Sequence, residues 1–436
     1  MSNILYVTFD GLLQPLGNSQ VVRYVEGLSR RGFDYTVLSM ERSEDLRNVG
    51  RVDRLRQYLA DRGIGWIYGE YSAGGAPGDA AKNMGWMAKR AIRLARERPL
   101  ELIHARSYLG ASVAYAVDRL IGVPYLFDIR GYWIDERLSE DRWFTNPVVH
   151  RVARALERRL YGRAAGLVAL TTVSAGDVLA GRFGPWDPQK PLTVIPTCAD
   201  YSRFQPGSAD SSELPELQRL RDSNKLVVGY VGSINPAYHV DESLQLFRRL
   251  KERRHDAHLL AVTHQENQMS ELLGRHGITA SQATVISVPH SAMPAVYDLI
   301  DWGFLVIERS YARRAMMPTK LAEFFAAGVR PIYYGCNSEI RHWVERAETG
   351  VVLDNITTWE LDRCARQIAN RSTDQASLRR ARRLTRAHFG LAAGIDAYER
   401  ICRVLLGVAE STEYSPQQAT AMERAANRGL GSPFSQ

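Results

Sequence analysis

MMPTKLAEFFAAGVRPIYY, Met316 to Tyr334, decides how the rest of the chain is read. Pro318 and Thr319 open a short helix, Lys320 and Glu323 follow three residues apart, and Phe324 and Phe325 make an apolar turn. Gly328 ends the helix, and Pro331-Ile332-Tyr333-Tyr334 begins a new apolar strand. Residues three apart share one helix face. The first turn of a helix carries free N–H groups and a partial positive charge, which suit phosphate. A lysine for phosphate beside a glutamate for sugar hydroxyls makes a candidate site for a nucleotide diphosphate sugar. An amphipathic helix with a solvated Lys/Glu pair fits the same pattern equally well.

Outward from this helix the chain alternates short apolar strands with helices. Ile4 to Phe9 reads as a strand, followed by a glycine-bounded loop from Gly11 to Gly17 and by Asn18-Ser19 as a helix cap before Val21, Val22, Val25 and Leu28. That loop lies where a doubly wound sheet presents its binding crevice, so Gly17 and Asn18 are candidates to meet a phosphate or an acceptor hydroxyl. No GxGxxG is present, which argues against a dinucleotide site. Further strands are read at Tyr35–Ser39, Leu102–Ala105, Tyr125–Ile129, Gly166–Leu170 and Leu192–Pro196, with a helix from Ala111 to Ile121. After a polar stretch the pattern restarts at Lys225–Gly232. A helix from Asp241 to Arg253 and strands at Ala257–Val262, Thr284–Val288 and Gly303–Ile307 follow, then the Pro331 strand. Short buried strands separated by helices imply parallel sheets covered on both faces.

A chain of 436 residues is too long for one compact core and suits two domains. The expected organisation is an α/β chain with a first Rossmann-like domain over residues 1–206, a linker over 207–224 and a second domain over 225–390. A helix over 391–410 returns to the first domain, and a disordered tail covers 411–436. No apolar run reaches the roughly 18–20 residues that span a bilayer, and Met1 to Val7 lacks the features of a signal peptide. Cys198, Cys336, Cys364 and Cys402 stand far apart, without metal-ligand spacing. A cytoplasmic, reduced protein without structural metal is expected.

The net charge is +8. Basic residues concentrate in VHRVARALERRLYGR, Val149 to Arg163, and in RRARRLTR, Arg379 to Arg386. Neither stretch carries interleaved stacking aromatics, a zinc pattern or a helix-turn-helix, so nucleic acid is not the expected partner. Arg151, Arg154, Arg158 and Arg159 recur at helical spacing opposite Val152, Ala155, Leu156 and Leu160. That pattern fits a cationic helix face on an anionic membrane surface, peripheral to the inner face of the cell membrane, and also a plain solvated face.

Two doubly wound domains flanking a cleft resemble the GT-B fold, and the order of motifs resembles the retaining glycosyltransferase family 4 of bacterial sugar-polymer and lipid-linked sugar assembly. The resemblance rests on Gly229-Tyr230-Val231-Gly232-Ser233, on Ser287-Val288-Pro289-His290 with Met293 to Tyr297, and on Lys320 to Glu323 with Ala327-Gly328-Val329. In the first half it rests on Ile195 to Asp200 with Arg203-Phe204. It implies transfer of a sugar from a nucleoside diphosphate sugar, as co-substrate, to a glycan, lipid-linked or small-molecule hydroxyl, with retention and without metal or other cofactor. The donor would meet Gly17, Gly232, Ser233, Val288, Pro289, Pro318, Thr319, Lys320 and Glu323. Arg130, Asp128 and Lys320 would carry catalysis, and Arg313, Arg314, His104 and Asn18 are further phosphate or acceptor candidates.

Three departures stand out. Ala315 occupies the position of the first glutamate of the family's Glu-x7-Glu pair, with Glu308 upstream as a substitute. The segment Gly232 to His239 lacks the Arg and Lys that commonly hold the diphosphate, which leaves Lys320, Arg313 and Arg314. Arg130 stands where many members have a histidine, with Asp128 as its catalytic neighbour or structural partner. Two rival readings remain: a nucleotide-sugar epimerase on the same fold, and a non-catalytic glycan- or nucleotide-binding protein.

Overall fold

The computed structural model describes residues 2–72, 77–140, 145–207, 214–371 and 374–408. The sequence-based tail at 411–436 and residues 208–213 of the sequence-based linker lie outside them. The chain divides into two units, Met1–Pro196 with the chain from Gly394, and Thr197–Ala393.

The first unit holds a seven-stranded sheet in the order β3-β2-β1-β4-β5-β6-β7. Its strands are β1 Ser2–Val7, β2 Phe33–Arg42, β3 Gly65–Tyr71, β4 Leu102–Arg106, β5 Tyr125–Asp128, β6 Gly166–Ala169 and β7 Leu192–Val194. All neighbouring strands run parallel. β4, β5 and β6 are buried at every position, as strands covered by helices on both faces must be. The strand order reverses between β1 and β4, and Arg106 of β4 lies directly opposite Asp128 of β5. The helix Leu391–Leu405 joins this unit from the far end of the chain. Ile395 packs where Gly27 has no side chain, Tyr24 meets Tyr398 edge-on with ring centroids 5.2 Å apart, and Arg31 pairs with Glu399 at 2.5 Å.

Helical structure after β1 begins earlier than the cap expected at Asn18-Ser19. A turn at Pro15–Gly17 runs through a π-helical stretch, Asn18–Val22, into the helix Arg23–Ser29. Pro15 brings a φ suited to a first helical position, and the Asn18 amide is already bonded to the Gln14 carbonyl at 2.9 Å. Gly17 is buried, and a Cβ there would lie 2.0 Å from the Gly11 carbonyl oxygen. Its lack of a side chain lets the loop fold tightly onto its own backbone.

The helix Pro147–Arg163, capped by the Asn146 side chain, divides its faces differently from the sequence reading. Arg154 turns inward to Asp135 and to Glu157, the latter at 2.8 Å, so it is not part of a solvated cationic face. Val152 and Leu156, placed above opposite the arginines, are 64% and 38% exposed, in line with Val148 at 66%. Leu160 and Tyr161 take the core positions instead.

The second unit holds a six-stranded sheet in the order β10-β9-β8-β11-β12-β13. Its strands are β8 Leu226–Val231, β9 Ala257–Val262, β10 Ala283–Ile286, β11 Trp302–Val306, β12 Arg330–Tyr334 and β13 Val351–Val352, all parallel. Leu244, Phe247, Leu259, Phe304 and Ile332 sit in its core. The unit begins at Thr197, ahead of the sequence-based boundary at 206. The Thr197 hydroxyl donates to the Met317 carbonyl at 2.9 Å, and the Tyr201 hydroxyl to Thr385 at 3.0 Å. Part of the sequence-based linker is the helix Pro215–Asp222. Its Leu217 and Leu220 are buried and Arg221 pairs with Asp298 at 3.0 Å, so apolar spacing outweighs the polar composition there. Among the described residues no helix is long and apolar enough to cross a membrane.

The contact at Gly17 gives a direct check. Gly17→Ala forces a methyl into the Gly11 backbone, and overpacking of this kind costs about 1–3 kcal/mol. Denaturant unfolding should show that loss.

Candidate functional site

In an open α/β sheet, ligands bind beyond the carboxyl ends of the strands where the strand order reverses. In the second unit that place lies between β8 and β11. β8 runs out at Val231 into Gly232, whose φ of +125° favours glycine. The helix Thr319–Ala327 starts beside it. Pro318 precedes it in an extended conformation without a side-chain cap, and Gly328 closes it left-handed.

Lys320 reaches back over the end of β8. Its ammonium donates to the Val231 carbonyl at 3.2 Å and lies 3.9 Å from the centre of the Tyr238 ring and 5.9 Å from that of Tyr230. The Gly232 Cβ position is 3.9 Å from the same nitrogen. Burial pushes the Lys320 pKa down to about 7, with Glu323 pulling the other way. Glu323 is 7% exposed and accepts from the Tyr297 hydroxyl at 2.7 Å. Burial raises its pKa above the ordinary carboxylate range, against the Tyr297 hydrogen bond and the charges of Arg203 and Lys320. The pair is therefore not a solvated surface bridge: each end is held apart by its own aromatic partners.

The other second-domain candidates fall around this centre. Val288 and Pro289 follow β10, and Arg203 bonds the carbonyl of the next residue, His290, at 2.5 Å. Ser233 is exposed; its carbonyl accepts from Tyr230 at 2.8 Å and its hydroxyl from Asn235 at 2.8 Å. Arg313 and Arg314 are buried in the turn Ala312–Ala315, and the Arg313 charge acts on Tyr238. Ala315 in that turn is also buried, so no carboxylate is offered from its position.

In the first unit the structure brings Asp128, Arg130 and His104 together and adds residues the sequence did not reveal. Asp128 is fully buried. Its carboxylate lies 3.2 Å from Arg130, 3.8 Å from Arg106 and 3.8 Å from His104, and accepts from the Tyr398 hydroxyl at 3.0 Å. Burial alone would raise its pKa; Arg130, His104 and Arg106 together hold it well below the carboxylate range. Arg106 also binds Asp10 at 2.6 Å, joining the loop after β1 to the end of β4. The next residue, Ser107, has a φ of +62°, a strained value at the reversal point. His104 packs between Tyr6 and Tyr398, with ring centroids at 4.3 and 5.1 Å, and burial lowers its pKa despite Asp128. It is a buried imidazole packed between two rings.

The Gly11–Gly17 loop does not offer all its amides to a ligand. The Leu12 and Leu13 N–H groups donate to the buried Glu41 carboxylate at 2.8 and 3.1 Å. Asp10, Arg106 and Tyr398 were missed by sequence reading, and Tyr238, Tyr297 and Arg203 were read only as parts of motifs and not as site residues. Arg106 left one signal, a charged residue at the end of an otherwise buried strand.

Family models cover both units. A glycosyl transferase 4-like domain matches residues 17–198, and a glycosyl transferases group 1 domain matches residues 216–386. The chain is a GT-B glycosyltransferase. Solved structures agree on the fold. The sucrose-phosphate synthase of Thermosynechococcus elongatus superposes with a TM-score of 0.68 at 11% identity, over 94% of this chain and 100% of its own. Anabaena HepE, in complex with UDP and glucose, gives 0.65 at 15%, over 93% and 100%. A glycosyltransferase from Rickettsia africae gives 0.64 at 16%, over 94% and 99%. No curated protein matches the chain.

Among the described residues of this glycosyltransferase no three His, Cys, Asp or Glu side chains come together as a metal site. The groups present supply positive charge, backbone donors and one carboxylate suited to hydroxyls. Tyr398→Phe should test how the first-unit cluster is held. Removing one of several partners of a buried carboxylate should cost about 1 kcal/mol, visible in thermal or denaturant unfolding.

Proposed function

We propose that the protein transfers a sugar from a nucleoside diphosphate sugar to a hydroxyl acceptor with retention of configuration. One observation carries this reading: Lys320 and Glu323 rise from one helix at the strand-order reversal, Glu323 buried and Lys320 half-buried, and among the described residues no ion pair engages either. Lys320 and the uncapped first turn at Pro318 and Thr319 receive the diphosphate, where positive charge and N–H donors stabilise the departing phosphate. Glu323 receives the ribose hydroxyls. Gly232 lets the phosphate approach the backbone, and Val288 and Pro289 border the base.

The first-unit cluster serves the acceptor half. Arg130 and Arg106 are its oxyanion partners, and Asp128 is a positioning residue, since its low pKa and full burial unfit it as a base. No nucleophile with an activating base is required when the leaving phosphate itself takes the acceptor proton. Retention is assigned on that chemistry.

The reading has a pH signature. An ammonium with a pKa near 7 is charged below that pH and neutral above it, while a bound diphosphate favours the charged form. UDP affinity should therefore be greatest below pH 7 and weaken above it, by up to about tenfold per pH unit. Calorimetric titration across this range checks it, with Lys320→Met expected to bind weakly and without that slope. Glu323→Ala should lose most transfer while remaining folded. If both variants kept wild-type donor affinity and turnover, the donor site would lie elsewhere.

We also propose that the acceptor is lipid-linked and met at an anionic membrane surface through the helix Pro147–Arg163. Val148, Val152 and Leu156 form an exposed apolar line. Arg151, Arg158 and Arg159 are exposed along the same helix, and among the described residues none has an acidic partner. Each basic residue near an anionic surface contributes about 1 kcal/mol. Sedimentation with anionic vesicles should show salt-sensitive binding that falls when these three arginines become Gln, and falls again with Val152→Glu. Equal pelleting of all variants would remove this helix as the contact.

A further inference from the structure

The second unit contains a cavity of about 570 Å³ that the proposed donor site does not use. It lies at the opposite end of the strands, beside Asp301 just before β11 and Arg330 at the start of β12. The helix Gln375–Phe389, which carries the basic stretch Arg379 to Arg386, forms another wall through Leu378, Arg379 and Arg382. That stretch is the arginine concentration left unexplained by the transfer reaction.

Three guanidinium groups line this cavity. Arg330 is 4% exposed and stacks over Trp302 at 4.9 Å; burial lowers its pKa, with Asp301 opposing. Arg382 is half-buried and donates to the Ala326 carbonyl at 2.7 Å and to the Tyr201 carbonyl. Both partners are neutral. Arg379 is exposed, and among the described residues no hydrogen bond or ion pair engages it. On the acidic side, Asp298 is already matched by Arg221 at 3.0 Å and by the Gly207 amide at 2.5 Å. Asp301 accepts from the Val227 amide at 2.9 Å.

We propose that this cavity is a second ligand site, separate from the donor site, that takes a phosphomonoester of a sugar-sized polyol. Planar guanidinium groups recognise phosphoryl oxygens, and the volume falls within the roughly 300–1,000 Å³ of small-molecule pockets. Gln205, Gln375 and the Asp301 carboxylate at the walls suit the hydroxyls of the carrier. Tyr297 belongs to both places: it lines the cavity, and its hydroxyl donates to Glu323. A ligand in the cavity therefore touches the residue that sets the position of the donor carboxylate.

The test is calorimetric titration of the full chain with glucose 6-phosphate, glucose and inorganic phosphate. Glucose 6-phosphate should bind saturably, and more tightly than either control. Arg379→Gln, a change at an exposed position, should weaken it about tenfold, the equivalent of one charge-assisted hydrogen bond. Arg379→Glu should weaken it further, and Arg382→Gln adds a half-buried position if it folds. Glu323→Ala and Lys320→Met should leave this binding in place. Loss of binding in the Glu323 and Lys320 variants with retention in the Arg379 variants would put the phosphate in the donor site and overturn the proposal. So would glucose binding as tightly as its phosphate, or no saturable binding at millimolar probe.

Discussion

The burial of Asp128 is the constraint on which the first unit depends. An ionised carboxylate removed from water costs several kcal/mol unless paired and hydrogen-bonded with good geometry. Here four partners come from three places in the chain. Arg106 and His104 lie on β4, Arg130 follows β5, and Tyr398 lies on the last helix. The parallel register that sets Arg106 opposite Asp128 and the return of the Leu391–Leu405 helix are thus two sides of one requirement. Arg106 then extends the network to Asp10, fixing the loop whose Leu12 and Leu13 amides are tied to Glu41. Charge balance in the interior locks the crevice end of this sheet before any ligand is considered.

The second unit solves the same electrostatic problem incompletely, and the incompleteness is where function enters. Among the described residues Lys320 has a carbonyl and a ring face but no carboxylate within bridging distance, and burial lowers its pKa. Glu323 has a tyrosine hydroxyl and only distant cations, and its pKa rises. Burial disfavours the charged form of both groups, a penalty that a ligand bearing the opposite chemistry would relieve. Perturbed groups in a crevice are candidates for function for this reason. Asp128, fully compensated, is better read as structure.

Most of the fold was legible because its signal is local. Short apolar strands such as Leu102–Ala105 and Tyr125–Ile129 alternate with periodic helices, and that alone specifies parallel sheets. Lys320 and Glu323 were legible for a similar reason, since their spacing and position before Gly328 lie within one helix. Tyr398 was not, because it meets Asp128 across 270 residues of sequence and nothing in its own helix marks it. Arg154 misled because helical spacing gives a face but not which face is covered. Its inward turn depends on Asp135 of a neighbouring helix. The segment 214–222 misled through composition, since its two leucines weigh more than the polar residues around them once a core is present.

The departures from the family pattern become physically coherent at the end of β8. Where an Arg and a Lys are common, this chain has Tyr238, and the Tyr238 ring lies against Lys320. A ring face attracts a cation without neutralising it, so the lysine keeps its capacity to answer a diphosphate. A carboxylate at that distance would have raised the lysine pKa and competed with the ligand for the same charge. Ala315, at the position where the family pattern has a glutamate, is buried and offers no carboxylate.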